Sequence, residues 1–441
     1  MAFLAQPSFH AGRFDEYLKW VARAAAEAAR SEDRALQIRL SADRSCTLLI
    51  LGDTKAWQAI DEIPPPGGAV DEIRQAARAY GNLADALLHL GYHERSRELI
   101  DKDLATGPGC FREHSIARVT SAQLDFVTGN WEGLDERVRL LLEEGEDRLP
   151  HHADLEAVLG LLRLARGEVG AAAEAFERLS AEELCDLAIV PWVCGGLARI
   201  RLAEEKPEAA LAAAARGVEI VERQGVWTWS TDVAPVTVEA LLATRSSTEA
   251  AQFVRRLREG VEGRDAPAAG AALRVGRGLL AEAKGDLEGA TRDFALAERC
   301  WRALPRPYEA ARAREYRGRA MLVEDPEGGR RRLVEAMDAY RALGAQWDAG
   351  RARSTLRQRG LVPPHRAGRK GYGSELSPRE HEVVQLAADG MSNREIALSL
   401  TVSRSTVEHH MTSAMRKLGA TSRHELGELL GAASENEAPP N

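Results

Sequence analysis

Apolar residues recur every three to four positions along most of the chain. Between 155 and 179, Leu155, Val158, Leu159, Leu162 and Ala165 fall on one helical face. Arg166-Gly167-Glu168 interrupts the pattern, and Ala172, Phe176 and Leu179 resume it. The spacing predicts two helices joined by a tight turn with glycine at the corner.

The same unit repeats. A first-helix column falls at Ala84, Ala122, Gly160, Ala198, Val238, Gly278 and Gly318, with successive gaps of 38, 38, 38, 40, 40 and 40 residues. Seven residues on, a turn column reads Gly91, Gly129, Gly167, Glu205, Arg245, Gly285 and Asp325. A second-helix column follows at Ser96, Leu134, Ala172, Ala210, Ala250, Ala290 and Arg330, where small residues let two helices approach. Four residues further lies an apolar column: Ile100, Val138, Phe176, Ala214, Val254, Phe294 and Val334. This order of small, turn, small and bulky residues resembles the tetratricopeptide repeat over residues 75–355, though the family unit has about 34 residues. One hairpin cannot bury its apolar face alone, so the units are expected to stack into a superhelix with a concave groove. Residues 13–62 carry weaker signs of further helix pairs around Leu51-Gly52-Asp53.

The pattern changes near the C-terminus. Gly360 closes the last repeat helix, Pro363-Pro364 prevents its continuation, and a Pro/Gly-rich basic linker spans 361–374. Ser377-Pro378-Arg379-Glu380 then forms a capping box, and that helix stops at Gly390. Ser392-Asn393-Arg394-Glu395 opens a second, short helix with Ile396, Ala397 and Leu400. Thr401-Val402 turns. Ser403 caps a third helix running to Gly419, and Ser422-Arg423-His424-Glu425 opens a fourth through Leu429-Leu430. Four short helices with a tight turn between the second and third read as a helix-turn-helix. On the third helix, Val407, Met411, Ala414 and Leu418 form the buried stripe, with His410 at its edge. Ser405, His409, Thr412, Ser413 and Arg416 form the opposite stripe, flanked by Glu408 and Lys417. The expected fold is therefore all-α: a helical-repeat domain over 1–360, the linker, a four-helix domain over 375–432, and a disordered tail at 433–441.

Charge separates these regions. The chain of 441 residues carries a formal −8. Residues 1–300 hold 36 basic and 49 acidic groups, residues 301–371 hold 17 and 8, and residues 372–441 hold 6 and 10. The acidic bulk repels nucleic acid, and the basic block before the C-terminal domain does not. That block is read either as a further hold on DNA or as a contact with the acidic repeats. Over 366–424 the balance is 9 basic to 6 acidic. Charged residues are 29% and apolar residues 44%, the balance of a chain that packs a core. The five cysteines are scattered without a CxxC pair, which excludes a disulfide framework and the common zinc signatures, and fits a cytoplasmic location. No apolar run reaches membrane-spanning length, and no leader pattern opens the chain.

Catalytic signatures are missing. The sequence has no GxxxxGK[ST], GxSxG or HExxH, so no enzyme activity and no cofactor are expected. Cys110 and His114, four apart, make too small a set for a metal, and the adjacent His151 and His152 diverge on a helix. Trp192, Trp227 and Trp229 are read as core packing.

Residues 376–426 resemble the DNA-binding domain of the LuxR family of bacterial transcription regulators. The elements SPRE, GxSNREIA, SxSTVEHH and RKLG stand in family order and spacing. The repeats ahead of them resemble the C-terminal half of the large ATP-binding LuxR-type regulators, without the ATPase module. The resemblance implies that Glu408, His409 and Thr412 face base edges. It implies that Asn393, Arg394, Ser403, Arg404, Ser405, Thr406, Arg416 and Lys417 meet phosphates. Many family members have Lys where Glu408 stands; Glu accepts from a cytosine amino group instead. Leu426, Leu429 and Leu430 resemble the family's dimerisation helix, or complete the small core.

The first function expected is a regulator that binds double-stranded DNA as a homodimer, with a protein or small effector in the repeat groove. The alternative is a protein-interaction scaffold whose helix-turn-helix has become a docking module.

Overall fold

The computed structural model describes residues 13–107, 114–144, 152–181, 187–361, 376–420, 422–423 and 425–426. Every regular element among them is helical. Cys110, Cys185, His151, residues 362–375, Leu429, Leu430 and the 433–441 tail lie outside the described residues.

Among the described residues three helices come first: α1 (Phe14–Ala28), α2 (Arg34–Ile50) and the short α3 (Ala56–Asp61). Seven hairpins follow. They pair α4 (Val70–Leu90) with α5 (His93–Leu104), α6 (His114–Thr128) with α7 (Leu134–Glu143), and α8 (His152–Arg166) with α9 (Val169–Ala181). Next come α10 (Ile189–Ala203) with α11 (Pro207–Gln224), α12 (Val233–Ala243) with α13 (Ser247–Val261), and α14 (Pro267–Ala283) with α15 (Leu287–Ala303). The last pair is α16 (Pro307–Met321) with α17 (Pro326–Ala342), and α18 (Gln346–Gln358) ends the stack. A single-turn 3₁₀ helix at Trp227–Thr231 joins α11 to α12.

The periodic columns have physical causes. Gly91, Gly129, Gly167 and Gly285 turn the chain with φ of 103°, 83°, 98° and 80°. Glu205 and Arg245 adopt the same left-handed backbone with side chains, at φ of 60° and 62°. Asp325 departs from the column: its side chain caps α17 by accepting from the Gly328 amide. The small columns seat aromatic rings. A Cβ on Gly160 would stand 2.6 Å from the Phe176 ring, and one on Gly196 would stand 2.7 Å from it. In the seventh hairpin the register slips by one. Gly329 packs on Gly318 and Leu333 is fully buried, in place of Arg330 and Val334.

The expected open groove is not what the winding produces. Each first helix touches the first helix five hairpins on: α4 meets α14, α6 meets α16 and α8 meets α18. The turns of the superhelix therefore rest on one another, and their own side chains fill the interior. Trp131 and Tyr308 lie 5.4 Å apart between ring centres. Arg199 on α10 reaches Asp348 on α18 at 3.1 Å, and Asp348 also takes Arg351 at 2.6 Å and the Tyr308 hydroxyl at 2.6 Å. Trp192 and Trp229 are buried in the same core. A cleft of about 680 Å³ stays open between the 125–132 corner, with Arg137 and Arg166, and the 342–344 corner. The first helices are clasped the same way: the Trp57 indole donates to Asp265 at 2.7 Å, and the Asp265 amide donates to the Gly52 carbonyl at 2.8 Å.

The C-terminal domain contributes α19 (Pro378–Ala388), α20 (Asn393–Leu400) and α21 (Arg404–Leu418). Its α20 packs against α9 and α18 of the repeats. No helix among the described residues is long and apolar enough to cross a membrane.

Candidate nucleic-acid interface

Local chemistry fixes the three C-terminal helices. Ser377 and Glu380 form a complete capping box on α19, and Ser392 and Glu395 form another on α20. Ser403 accepts from the Thr406 amide at 3.1 Å to start α21. Thr401 ends α20 in the left-handed conformation (φ 51°), and Gly419 ends α21 in the same way. The turn between α20 and α21 is thus three residues, Thr401 to Ser403. Val383, Val384, Ile396, Val407, Met411, Ala414 and Leu426 close a small core. Leu426 therefore belongs to that core.

Glu380 ties α19 to α21. Its carboxylate accepts from the Ser377 amide at 2.7 Å, the Ser413 hydroxyl at 2.5 Å and the Lys417 ammonium at 2.6 Å. Burial pushes this carboxyl up, but bonds from Lys417, Ser413 and Ser377 outweigh burial and hold it at about 2. Two residues assigned outward by the helical wheel are thereby turned inward. Ser413 leaves the exposed stripe, and Lys417 spends its charge on Glu380 instead of offering it to a phosphate. The wheel puts Ser413 in the outward stripe of α21 and Lys417 at its flank, and a charged acceptor on the neighbouring helix decides which way they point.

The other candidates lie as follows. Ser405, Glu408, His409, Thr412 and Arg416 are exposed along one face of α21. Glu408 accepts from Arg404 at 2.9 Å, one helical turn back. The Thr412 hydroxyl donates to the Glu408 carbonyl at 2.8 Å, which leaves its lone pairs outward. The Ser403 hydroxyl meets those of Ser405 and Thr406 at 2.8 Å each, a polar cluster at the start of α21. Asn393 takes a bond from Arg423 at 2.8 Å, and Arg394 pairs with Glu204 of the repeats at 3.0 Å. His410 is half-buried; burial, then Arg379, push its proton affinity down, so it serves the core.

Residues 374–429 match the luxR family of bacterial regulatory proteins. This segment is a luxR-family domain. The chain is 46% identical over 69 residues to a Mycobacterium bovis protein named as an HTH-type transcriptional regulator, covering 16% of this chain and 8% of that one. It is 45% identical over 60 residues to the response regulatory protein YgeK of Escherichia coli, 14% of this chain and 41% of that one. It is 53% identical over 53 residues to the oxygen regulatory protein NreC of Staphylococcus aureus, 12% of this chain and 24% of that one. The chain thus spans less than half the length of each of these relatives. A crystal structure of Rap protein complexed with competence and sporulation factor aligns over 82% of this chain and 97% of its own, at 11% identity and a TM-score of 0.46.

Sequence reasoning missed three residues that brace the luxR-family domain. Arg379 donates to the Leu400 carbonyl at 2.9 Å, Arg423 holds the Met391 carbonyl as well as Asn393, and Arg357 of α18 donates to the Thr401 carbonyl at 2.9 Å. Each caps the end of a helix or turn in space rather than in sequence, so spacing carries no sign of it. Among the described residues no His, Cys, Asp and Glu cluster suits a metal. His114 bonds Asp103 at 2.7 Å instead.

Proposed function

We propose that this protein is a DNA-binding transcription regulator. The observation that carries the reading is the exposed polar face of α21, fixed at both ends by caps and from behind by an apolar core. The second helix of a helix-turn-helix enters the major groove. In that pose Glu408, His409 and Thr412 face base edges. Ser403, Arg404, Ser405, Thr406 and Arg416 face phosphates at the two ends of the helix, and Asn393 and Arg394 face the strand crossed by α20. Lys417 acts through Glu380, as a strut. Similarity to bacterial regulators over this domain supports the reading, as does the name of the mycobacterial relative.

The domain binds as a homodimer on two half-sites about one helical turn apart. Its phosphate contacts make affinity fall steeply with salt. The repeats receive a protein or small effector that controls the domain. With the superhelix interior filled, the cleft lined by Asp125, Trp131, Arg137, Arg166 and Leu343 is where such a ligand finds room.

The test is selection from fragmented genomic DNA at about 100–150 mM salt, repeated with His409→Ala combined with Thr412→Ala. The native chain is expected to enrich a near-palindromic sequence. The double variant is expected to lose that preference while keeping salt-sensitive, non-specific binding. An unchanged preference rejects the readout assignment, and no enrichment by the native chain turns the search towards protein partners.

A further inference from the structure

The luxR-family domain rests on the repeats by a surface that looks purpose-built. Three glycines of the repeats lie under it. A Cβ on Gly350, within α18, would stand 2.8 Å from the Ser399 carbonyl oxygen and 2.9 Å from the Thr401 hydroxyl, and would meet no atom of the repeats. A Cβ on Gly167 would collide with Ser399, and one on Gly170, in the first turn of α9, with Glu395. Glycine inside a helix is less favourable than alanine. Gly350 has no packing reason within its own domain; its reason is the approach of α20.

The same surface carries charge. Glu204 and Glu205 form the corner after α10. Glu204 pairs with Arg394 at 3.0 Å, and is braced from behind by Arg201 and Lys206, each at 3.0 Å. Glu205 occupies the left-handed turn position that glycine holds in four other hairpins. Both line a cleft of about 280 Å³ together with Arg394, Ala397, Leu398, Val402 and Arg404. Arg394 begins α20 and Arg404 begins α21. These are the parts of a helix-turn-helix that cross the DNA backbone and enter the groove.

We propose that the repeats hold the luxR-family domain in a DNA-excluded state, with the carboxylates of Glu204 and Glu205 standing where two DNA phosphates would lie. A duplex brought to Arg394 and Arg404 meets like charge and the bulk of α10 and α18. Binding DNA therefore requires α20 to leave its seat. The reading edge of α21 stays exposed in the docked state, so the block acts on backbone contacts rather than on base contacts. An effector that moves α9, α10 or α18 by a small distance opens the domain. This rests on the DNA-binding reading above.

The experiment uses the full chain, Gly350→Leu and Glu204→Gln. A fluorescent random-sequence 30-base-pair duplex is the probe, and hydrogen exchange across 393–401 is followed in parallel. Gly350→Leu starts a side chain whose Cβ meets the docked domain at Ser399 and Thr401, in a helix that favours leucine over glycine. If the seated form predominates, both variants bind the duplex at least about tenfold more tightly than the native chain, because apparent affinity scales with the open fraction. Exchange at 393–401 rises in step, while exchange in α8 and α16 stays as in the native chain. Equal DNA affinity in all three proteins, with measurable binding, overturns the proposal. If none binds DNA, the DNA-binding reading falls. The exchange data then decide whether the seat itself exists: unchanged exchange removes it too.

Discussion

Replacing Glu380 by alanine removes one carboxylate and unties α19 from α21. The side chain accepts three hydrogen bonds, two of them from Ser413 and Lys417 on α21. Holding a carboxyl that ordinarily titrates near 4.5 down at about 2 corresponds to at most about 3 kcal/mol. Water reaches one side of this cluster and screens part of it, and exposed ion pairs contribute about 0–1 kcal/mol. Lys417, left facing a vacated site, is free to swing to solvent, which softens the loss further. The expected destabilisation of the luxR-family domain is therefore about 1.5–2.5 kcal/mol. Residues 376–441 contain neither Trp nor Tyr, so fluorescence does not report on this domain. Hydrogen exchange does, through peptides covering α19 and α21. The pH dependence gives a second reading with a fixed sign. A carboxyl depressed in the folded state stabilises fully above about 4.5, and that stabilisation is lost as pH falls towards 2. The native domain should lose protection between pH 5 and 3, after correction for intrinsic exchange, and Glu380→Ala should lose much less. A change below about 0.5 kcal/mol, or parallel pH profiles, refutes the account of Glu380 as the strut.

Two further outcomes concern the repeats. Asp348→Ala leaves the buried Arg199 without its carboxylate and Tyr308 without its acceptor, while Arg351 keeps Glu315, and should cost about 3 kcal/mol in denaturant unfolding. A loss under about 1 kcal/mol shows that the turns of the superhelix do not lean on this contact. Burial, then Arg306, push His93 down to about 4, so the unfolded chain takes a proton that the folded one refuses. Repeat stability should fall between pH 6.5 and 4, and His93→Gln should flatten that slope, as read from urea midpoints at stepped pH.

Some of this architecture was legible in the sequence because its causes are local. A left-handed corner calls for glycine, so four of seven corners announce themselves at even spacing, and the capping boxes of the C-terminal domain do the same. Glu205 and Arg245 bend the chain identically without glycine, and only the spacing betrays them. The slip at Gly329 and Leu333 was invisible, because a one-residue shift on a helix leaves the apolar pattern almost intact. The winding was out of reach altogether. Whether α6 meets α16 depends on small rotations summed over five hairpins, and no single residue records the sum. The same holds for the interface of the C-terminal domain. The exposed face of α21 follows from a wheel, but Ser413 and Lys417 turn towards an acid 33 and 37 residues away, and Arg394 towards one 190 residues away.

The contact of each first helix with the one five hairpins later has a consequence for the chain as it is made. Repeat stacks whose units touch only their neighbours can order progressively from one end. Here the partner of Trp57 is Asp265, 208 residues downstream, and that of Arg199 is Asp348, 149 residues downstream. At roughly 5–20 residues per second, synthesis reaches Asp265 about 10–40 s after Trp57. Until the second turn is made, the inner sides of α4, α6 and α8 are finished but not fully covered, with Trp131 still lacking its Tyr308 neighbour. Closure then comes late and in one step, when the second turn arrives to cover the first. The native superhelix should accordingly unfold as a block rather than fray from its ends, and a chain cut short before α14 should be a client for aggregation rather than a smaller version of the same fold.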